Sequence, residues 1–355
     1  MIFRSMFRTL RNFAYGLLVV LLIAACQTPT SIKQSSPTSV PASADNCRTV
    51  EHEMGVTEVC GQPQKIAVLS AHILDNILAL GAQPAGYAEV IEVNLQTYDN
   101  PTEQIPHLGK WVTTKPVGLG TRPSPSLERL TQLKPDIILG ESWANSDEYS
   151  SLSQIAPTLL FNDRKNPNEP QSWQQNIEGV AQALGREARG KELLAAYDRQ
   201  IAQARTALEP VLKAHPRILL INSDLDTYVG LSADSTASRL LKDIGFEIVV
   251  PPGAEGNVQS ISWEILPQVE SDIVILMYCT SCSGGDDLLN PLDPSQKQWT
   301  ERPLIESMDA FQKGRFFFVD MYLWTSVTRG PLTDQLILEA LPDLLLPTVA
   351  EEQQG

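Results

Sequence analysis

Aromatic residues stand where predicted strands end, two arginines stand before predicted helices, and together their types suit the binding of a bulky anion. The guanidinium of arginine is a planar fork that pairs with carboxylate, catecholate or hydroxamate oxygens, and aromatic faces cover a large ligand. Taken singly, each tryptophan is equally compatible with packing and each arginine with a surface charge. Tyr87 and Glu141 also follow strands, without a predicted contact. The predicted ligand contacts are Arg122, Trp143, Tyr322, Trp324, Arg329, His72 and Tyr278.

The sequence holds no motif of a common catalytic site. It contains no G-x-S-x-G nucleophile elbow, no phosphate-binding P-loop and no H-E-x-x-H zinc motif, and its four histidines are scattered. A hydrolase or a zinc enzyme is therefore poorly supported. We expect a binding protein and not an enzyme, with no cofactor and with no metal ion held directly by side chains.

The stretch 171–209 separates two regions that share one predicted order of strands and helices. Apolar residues recur at helical spacing from Trp173 to Leu184, which predicts a first helix, and Gly185 ends it. A second apolar stripe predicts a helix over about 187–209, with Pro210 as its stop. At a rise of about 1.5 Å per residue this second helix is roughly 35 Å long, enough to join two lobes.

On each side of that stretch, short apolar strands alternate with helices. This order is typical of a parallel sheet with helices on both faces. The predicted fold class is α/β, with two Rossmann-like lobes that each contain a parallel sheet and are joined by a long α-helix. Open sheets bind ligands at the carboxyl ends of their strands, so we expect the site in the cleft between the lobes. The predicted segments are a signal peptide (1–25), a flexible tether (26–46), a first lobe (47–170), connecting helices (171–209), a second lobe (210–347) and a tail (348–355).

The two regions also match in detail. Aligning Asp136-Ile137-Ile138 with Asp272-Ile273-Val274 puts Glu128 opposite Glu264, each eight residues before its aspartate. A glutamate in the first turn of a helix ordinarily complements the helix dipole. Two such glutamates, one in each lobe, are suited to binding two arginines of a symmetric partner, because arginine–carboxylate pairs are directional.

The first 25 residues are typical of an export signal. Arg4, Arg8 and Arg11 precede an apolar run that ends in Ile-Ala-Ala-Cys26. A small-residue cleavage site followed by cysteine resembles the bacterial lipobox, which makes Cys26 the predicted acylated N-terminus. An ordinary signal peptide or a transmembrane anchor is the alternative, although the run is shorter than the ~20 residues that span a bilayer.

Charge and tether composition limit the possible partners. The segment after Cys26 is rich in Ser, Thr, Pro, Ala and Gln, which predicts a flexible linker. Removing the three arginines of the signal, which has no acidic residue, takes the net charge from −15 to −18. This acidity argues against nucleic acid or an anionic membrane face as a partner and favours a basic docking partner.

The five cysteines form two local pairs once Cys26 is set aside. In an oxidising compartment we expect a disulfide between Cys47 and Cys60, because the residues between them can fold back as a small hairpin. For Cys279 and Cys282 a disulfide is the first interpretation, free thiols the second and a metal site the third. Two thiols supply only half of a four-ligand site.

The chain resembles the substrate-binding lipoproteins of ABC importers for iron–siderophores, haem and cobalamin, the group whose lobes are joined by one long helix. The resemblance covers 47–347 and rests on the order of its matching segments. It implies the class III periplasmic binding protein fold. The longer, cysteine-containing loop around Cys279 and Cys282 departs from the family pattern. The matching segments include 78–87, 125–138, 173–184 and Gly330-Pro331-Leu332.

The resemblance also implies residue roles. The family's glutamates at the positions of Glu128 and Glu264 dock onto arginines of the permease dimer. An arginine matching Arg122 contacts the siderophore in the ferrichrome-binding member, and an aromatic residue near Trp143 plays a similar part. We accordingly expect a monomer that is exported, anchored through Cys26 to the periplasmic side of the cell membrane, and docked on an ABC permease.

The leading functional hypothesis is the capture of a ferric siderophore and its delivery to that permease. Cobalamin or haem is the alternative within the same class. A zinc or manganese binding protein would need several converging His and carboxylate ligands, for which His72 alone is thin support. An exported thiol oxidoreductase using Cys279 and Cys282 is a remote alternative, because the thioredoxin-like context is missing.

Overall fold

Two β-sheets, one in each half of the chain, form the framework of the protein in a computed structural model. The predicted signal peptide, the tether up to residue 45, and Cys26, Cys279 and Cys282 lie outside the residues that the structure describes. Those residues are 46–89, 95–162, 172–224, 228–231, 236–250, 259–261, 263–278, 301–325 and 329–350.

The first half alternates short strands with short helices, as the sequence predicts. Ser70 caps the first of these helices with its hydroxyl, and Ser126 caps the third. The strands are β1 (Cys47–His52), β2 (Gly55–Cys60), β3 (Ile66–Val68), β4 (Pro84–Glu89), β5 (Val117–Thr121), β6 (Ser124–Pro125), β7 (Ile137–Glu141) and β8 (Thr158–Phe161). The helices are α1 (Ala71–Ala79), α2 (Pro101–Gln104), α3 (Leu127–Leu133), α4 (Ser142–Asn145) and α5 (Tyr149–Ser153), with a 3-10 turn at Gly109–Trp111.

The second half begins with the connecting helices and then repeats the alternation. The helices are α6 (Gln174–Leu184), α7 (Glu187–Ala207), α8 (Glu209–Ala214), α9 (Thr236–Ile244), α10 (Pro303–Glu306), α11 (Asp309–Gln312), α12 (Met321–Trp324), α13 (Pro331–Leu345) and α14 (Pro347–Ala350), with a 3-10 helix at Trp263–Gln268. The strands are β9 (Arg217–Asp224), β10 (Tyr228–Leu231), β11 (Glu247–Ile248), β12 (Gln259–Ile261), β13 (Ile273–Tyr278) and β14 (Phe316–Asp320).

Both sheets are parallel at their centres and antiparallel at an edge. The first has the order β6-β5-β4-β3-β7-β8, and only β6 runs antiparallel to its neighbour. In the second, β9, β11, β13 and β14 are parallel, while β10 and β12 pair antiparallel. The predicted parallel sheets are present, and the antiparallel edge strands are an addition that the sequence prediction did not include. Only a few residues separate β5 from β6 and β9 from β10, and so short a connection can join only antiparallel strands.

The internal repeat predicted from Asp136 and Asp272 has a structural counterpart. Asp136 stands before β7 and accepts hydrogen bonds from the backbone N–H groups of Gln64 and Lys65, at the start of β3. Asp272 stands before β13 and accepts from the N–H of Arg217, at the start of β9. The same carboxylate thus fixes the same pair of neighbouring strands in each half.

Helix α7 is the bridge between the halves, and arginines at its two ends bind each of them. At its start Arg186 donates to the carbonyl of Leu80, beyond α1, at 2.8 Å. Near its other end Arg205 donates to the carbonyls of Ile244 and Asp243, at the end of α9, at 2.9 and 2.6 Å. The last carbonyls of a helix lack intrahelical donors, so these guanidiniums satisfy them.

Each sheet contributes one face to a core that both halves share. Ile66 and Val68 of β3, Ile218 and Leu220 of β9, and apolar residues of α6, α7 and α13 belong to that core. The alternate residues of the same strands, such as Ala67 and Leu219, pack into separate smaller clusters under the outer helices. This two-sided burial explains why the central strands are apolar at every position.

The chain enters the first sheet through the hairpin β1–β2. Its strands pair in register from Cys47 opposite Cys60 to His52 opposite Gly55. Cys47 and Cys60, which the sequence pairs, are joined by a disulfide. Arg48 links the hairpin to α6 by donating to the carbonyl of Ala183 at 2.9 Å.

Proline positions determine where one helix begins and what type another adopts. The bridging helix ends at Ala207, and Pro210 does not stop it but lies in the first turn of α8, where a missing N–H costs nothing. The segment Trp263–Gln268 is a 3-10 helix, because Pro267 inside it cannot donate to the α-helical ladder.

Candidate functional site

The strand order of the first sheet reverses between β3 and β7. The chain proceeds from β3 outward through β4 and β5, then returns to the other side of β3 for β7 and β8. Ligands of open α/β sheets bind outside the carboxyl ends of the strands at such a switch point. Two ionisable residues stand there, His72 in the first turn of α1 and Glu141 at the end of β7, with 4% and 2% of their surface exposed.

Glu141 is the centre of the site. Its Oε1 accepts a hydrogen bond from Nδ1 of His72 at 2.6 Å and from the indole N–H of Trp143 at 3.1 Å. Nη2 of Arg329 lies 3.5 Å from the same oxygen, and Nη1 of Arg122 lies 3.9 Å from Oε2. Four of the seven predicted ligand contacts therefore converge on one carboxylate to which the sequence pattern assigned no role.

The surrounding charges keep this carboxylate ionised. Burial alone would raise the pKa of Glu141, but the charge and hydrogen bond of His72 and the charges of Arg329 and Arg122 outweigh it and lower that pKa below its ordinary value. Burial, and after it the charge of Arg329, lowers the pKa of His72. Nδ1 of His72 lies 2.6 Å from Oε1 of Glu141 and 2.8 Å from Nη2 of Arg329, so this ring nitrogen stands between the carboxylate and the guanidinium.

Arg122 is held by its backbone and by an aromatic ring. It lies in the turn between β5 and β6, where its N–H donates to the carbonyl of Glu89 at 2.8 Å and its own carbonyl accepts from Asn145 at 2.7 Å. Its guanidinium stacks over the ring of Trp143 at 4.4 Å. Nε and Nη1 of Arg122 are buried and make no hydrogen bond to any described residue. Buried donors normally have acceptors, so these two can bind anionic oxygens.

A second polar cluster joins the two halves beside the first. Glu89, at the end of β4, accepts hydrogen bonds from the hydroxyls of Tyr87 and of Tyr322, the latter in α12 of the other half. Next to it, Nε2 of His107 lies 2.6 Å from Oδ2 of Asp320, again across the halves. Tyr322 was predicted as a ligand contact, and the structure places it in this cluster.

Tyr278 and Trp324 lie in hydrophobic packing. Tyr278 ends β13 and its ring meets that of Phe318 edge-on at 6.1 Å, within the core under the outer helices of the second sheet. Trp324 has 3% of its surface exposed and belongs to the core shared by both halves. Ligand contact for these two residues stays a prediction.

Glu141 and Glu89 are the site residues whose roles were not predicted from the sequence. Both are the last residue of an otherwise apolar strand, β7 and β4. A carboxylate at the carboxyl end of a buried strand costs free energy unless it is paired. A carboxylate at the end of a buried strand was therefore the signal in the sequence by which both Glu141 and Glu89 could have been identified.

The predicted docking glutamates are exposed. Glu128 lies in the first turn of α3, and Glu264 lies in the first turn of the 3-10 helix at Trp263–Gln268. Each follows the edge strand of its sheet, β6 or β12. The two glutamates therefore occupy matched places in the two halves.

Within the described residues, only Cys47, Glu58 and Cys60 bring three His, Cys, Asp or Glu ligand atoms close enough to hold an ion. The disulfide uses two of the three, so this group does not form a metal site. His72 has Arg329 and Glu141 as its neighbours in the site.

The family profile described as periplasmic binding protein matches residues 66–323. The chain belongs to the periplasmic binding protein family. This confirms the resemblance inferred from the sequence and the α/β fold class. The family consists of substrate-binding proteins of transporters.

Named relatives of this periplasmic binding protein cover most of its length. The Fe(3+)-citrate-binding protein YfmC of Bacillus subtilis is 27% identical over 323 residues, which cover 90% of this chain and 93% of YfmC. The Fe(3+) dicitrate-binding periplasmic protein FecB of Escherichia coli is 25% identical over 285 residues, covering 78% and 83%. The structure of Staphylococcus aureus SirA complexed with staphyloferrin B matches with a TM-score of 0.65 at 23% identity, covering 84% and 98%, and shares the fold.

A membrane-spanning helix was the alternative to a cleaved signal at the N-terminus, which lies outside the described residues. Among the helices that the structure does describe, none combines the length and the apolar character needed to cross a bilayer.

Proposed function

We propose that this protein captures a ferric siderophore in the cleft between its two sheets and delivers it to an ABC permease, without bond chemistry of its own. The observation that carries the proposal is the meeting of Arg122 and Arg329, from opposite halves of the chain, at the switch point of the first sheet. A ligand bound there touches both halves. The iron-chelate names of YfmC and FecB support the same conclusion.

The chemistry of the site favours a chelate that carries carboxylates. Two guanidiniums present planar forks, and Nε and Nη1 of Arg122 have free hydrogen-bonding capacity toward the described residues. Trp143 has 54% of its surface exposed and offers an aromatic face at the mouth of the site. A bulky ligand with anionic oxygens on one side and an apolar edge on the other fits these groups.

Tryptophan fluorescence titration tests the proposal directly. The purified protein is titrated with ferric citrate, a ferric hydroxamate, a ferric catecholate, haem, cobalamin and zinc. We expect saturable quenching by ferric chelates, and a much smaller signal in Trp143→Phe, because the exposed indole of Trp143 lies beside Arg122. Saturation by haem, cobalamin or zinc alone would overturn the siderophore proposal in favour of that ligand.

Docking on the permease is proposed to use Glu128 and Glu264. Both are exposed and occupy matched places in the two halves, so they can bind two arginines of a symmetric dimer. We predict that Glu128→Ala with Glu264→Ala leaves ligand affinity unchanged but lowers cellular uptake of iron by about tenfold, since rim charges control encounter.

The matched control for docking replaces Glu103 and Glu306 by alanine. These are also exposed glutamates in the first turns of short helices, one in each half. Uptake with this control pair should equal that of the wild type. A loss of ligand binding in the Glu128 and Glu264 variant would place those residues in the cleft and contradict the docking role.

Attachment to the membrane is proposed to occur through an acylated Cys26, after cleavage of the signal. The support is the Ile-Ala-Ala-Cys26 sequence at the end of the apolar run. The mass of the membrane-extracted mature protein should include diacylglyceryl and acyl groups on Cys26. A mature protein of unmodified mass in the soluble fraction would exclude the anchor.

A further inference from the structure

Glu141 places a carboxylate between the guanidiniums of Arg122 and Arg329. We infer that Glu141 is a built-in counter-anion of Arg122 and Arg329, and that a ligand must displace it from both arginines in order to bind. Glu141 then determines specificity, selecting chelates with several carboxylates over uncharged chelates. This inference rests on the proposed function and deepens it.

The geometry shows an occupied but incompletely satisfied anion site. Oε1 of Glu141 lies 3.5 Å from Nη2 of Arg329, and Oε2 lies 3.9 Å from Nη1 of Arg122. These separations allow ion pairing, but the second is too long for a hydrogen bond. Oε2 of Glu141, like Nε and Nη1 of Arg122, makes no hydrogen bond to any described residue.

The ion pairs of Glu141 are therefore weaker than those a free ligand can make. A carboxylate on a short backbone-bound side chain cannot align with two arginines that come from opposite halves of the chain. A chelate that enters the cleft can place one oxygen pair on each guanidinium at hydrogen-bond distance. Exchanging these long ion pairs with Glu141 for aligned hydrogen bonds to the ligand is favourable only if the ligand supplies the negative charge.

The other partners of Glu141 give it a place to remain when displaced. Oε1 of Glu141 lies 2.6 Å from Nδ1 of His72 and accepts from the indole N–H of Trp143 at 3.1 Å, and both residues belong to the same half as Glu141. Glu141 can keep these two bonds while the arginines turn toward the ligand. An uncharged chelate leaves the arginines bound to Glu141 and gains only the contact with Trp143, so its affinity should be low.

The test compares ferric dicitrate, an anionic chelate, with a ferric trihydroxamate whose iron centre is uncharged. In Glu141→Gln the amide can still accept from His72, but its charge no longer competes for the arginines. We expect affinity for ferric dicitrate to rise about tenfold and affinity for the trihydroxamate to change less than about twofold. The ionic-strength dependence for ferric dicitrate should steepen, because the site then carries one more net positive charge.

Two further variants make the result decisive. Glu178→Gln removes the same charge from an exposed position in the middle of α6 and should leave both affinities unchanged. Glu141→Asp keeps the charge but draws the carboxylate away from the arginines, so a smaller gain in the same direction is expected if Glu141→Gln does not fold. Circular dichroism and thermal unfolding establish which variants are folded.

The outcomes separate this inference from the proposed function. Lower affinity for ferric dicitrate in a folded Glu141 variant, or equal changes for both chelates, overturns the counter-anion role and leaves siderophore binding intact. A wild-type protein that binds none of the ferric chelates in the fluorescence titration, the ferric catecholate included, overturns the proposed function itself.

Discussion

At the scale of single residues, the site is organised around a carboxylate rather than around the arginines. Arg122 is placed by the N–H and carbonyl of its own backbone and by stacking on Trp143. Its guanidinium is thus oriented before any ligand arrives, and two of its nitrogens remain available. Such preorganisation reduces the entropy that a ligand loses on binding.

Replacing Arg122 by alanine should therefore weaken binding strongly. We predict a loss of about 1.5–3 kcal/mol in the free energy of binding an anionic ferric chelate, the range for hydrogen bonds to charged groups. Isothermal titration calorimetry measures it. Lys110→Ala is the matched control, because Lys110 also lies over a tryptophan, Trp111, at 4.2 Å, but outside the site. Equal losses in both variants would show that only net charge matters.

At the scale of elements, helix ends connect the halves. Arg186 and Arg205, at the two ends of α7, donate to the last carbonyls of α1 and α9. Asp75 of α1 accepts hydrogen bonds from the backbone at the start of α13. Its carboxylate accepts from the N–H groups of Leu332 and Thr333, both at 2.9 Å. Gly330 passes so close that a β-carbon there would lie 2.1 Å from the carboxyl carbon of Asp75. A glycine is therefore required beside Arg329.

The buried carboxyl group of Asp75 makes the stability of the protein depend on pH. Burial, opposed in part by the Leu332 and Thr333 hydrogen bonds, raises the pKa of Asp75 to about 7. A carboxyl group with a raised folded-state pKa binds its proton more tightly in the folded protein, so its contribution to stability is full below the unfolded value and is lost as pH rises through about 7.

Asp75→Asn should remove this dependence. We predict that the free energy of unfolding of the wild type, minus that of the variant, increases by about 1.4 kcal/mol per pH unit as pH falls from about 7 toward 5. Urea unfolding at several pH values measures the difference, which cancels the opposing titration of His72. A pH-independent difference would show that Asp75 stays ionised throughout.

At the scale of the whole molecule, the two halves are tied more closely than separate domains. They share one hydrophobic core, and Tyr322 and Asp320 make hydrogen bonds across the cleft to Glu89 and His107. A bridging helix anchored at both ends adds to this connection. We expect closure around a ligand to be a small movement compared with that of proteins hinged on loops.

The bond from Tyr322 to Glu89 allows a test of this coupling. Tyr322→Phe removes a hydrogen bond between the halves, whereas Tyr87→Phe removes one to the same carboxylate within the first sheet. We predict a loss of about 1–3 kcal/mol of unfolding free energy in each, because a buried acceptor loses a donor. Only Tyr322→Phe should speed hydrogen exchange in the segment 320–325 and in α2. Equal hydrogen-exchange rates in the two variants would show that the bond from Tyr322 to Glu89 does not couple the two halves.

Local patterns in the sequence were enough to predict most elements and the general position of the site. Ser126 as a cap, Gly185 as a helix end and Asp136 with Asp272 as matched strand starts are all local signals, and the structure contains each of them. The prediction that Pro210 stops a helix was wrong, because Pro210 lies in the first turn of α8. Pro267, by contrast, lies inside the 3-10 helix at Trp263–Gln268. Position within the turn decides between these outcomes, and spacing alone does not reveal it.

The sequence by itself determined the α/β alternation, the bridging helix and the candidates Arg122, His72, Trp143 and Arg329, because propensity, periodicity and residue chemistry act over a few positions. Only the tertiary structure decided that these four meet at Glu141. Residues separated by up to 257 positions, such as His72 and Arg329, come together through strand order and helix packing. That arrangement depends on the balance of burial and charge over the whole chain, which no single segment contains.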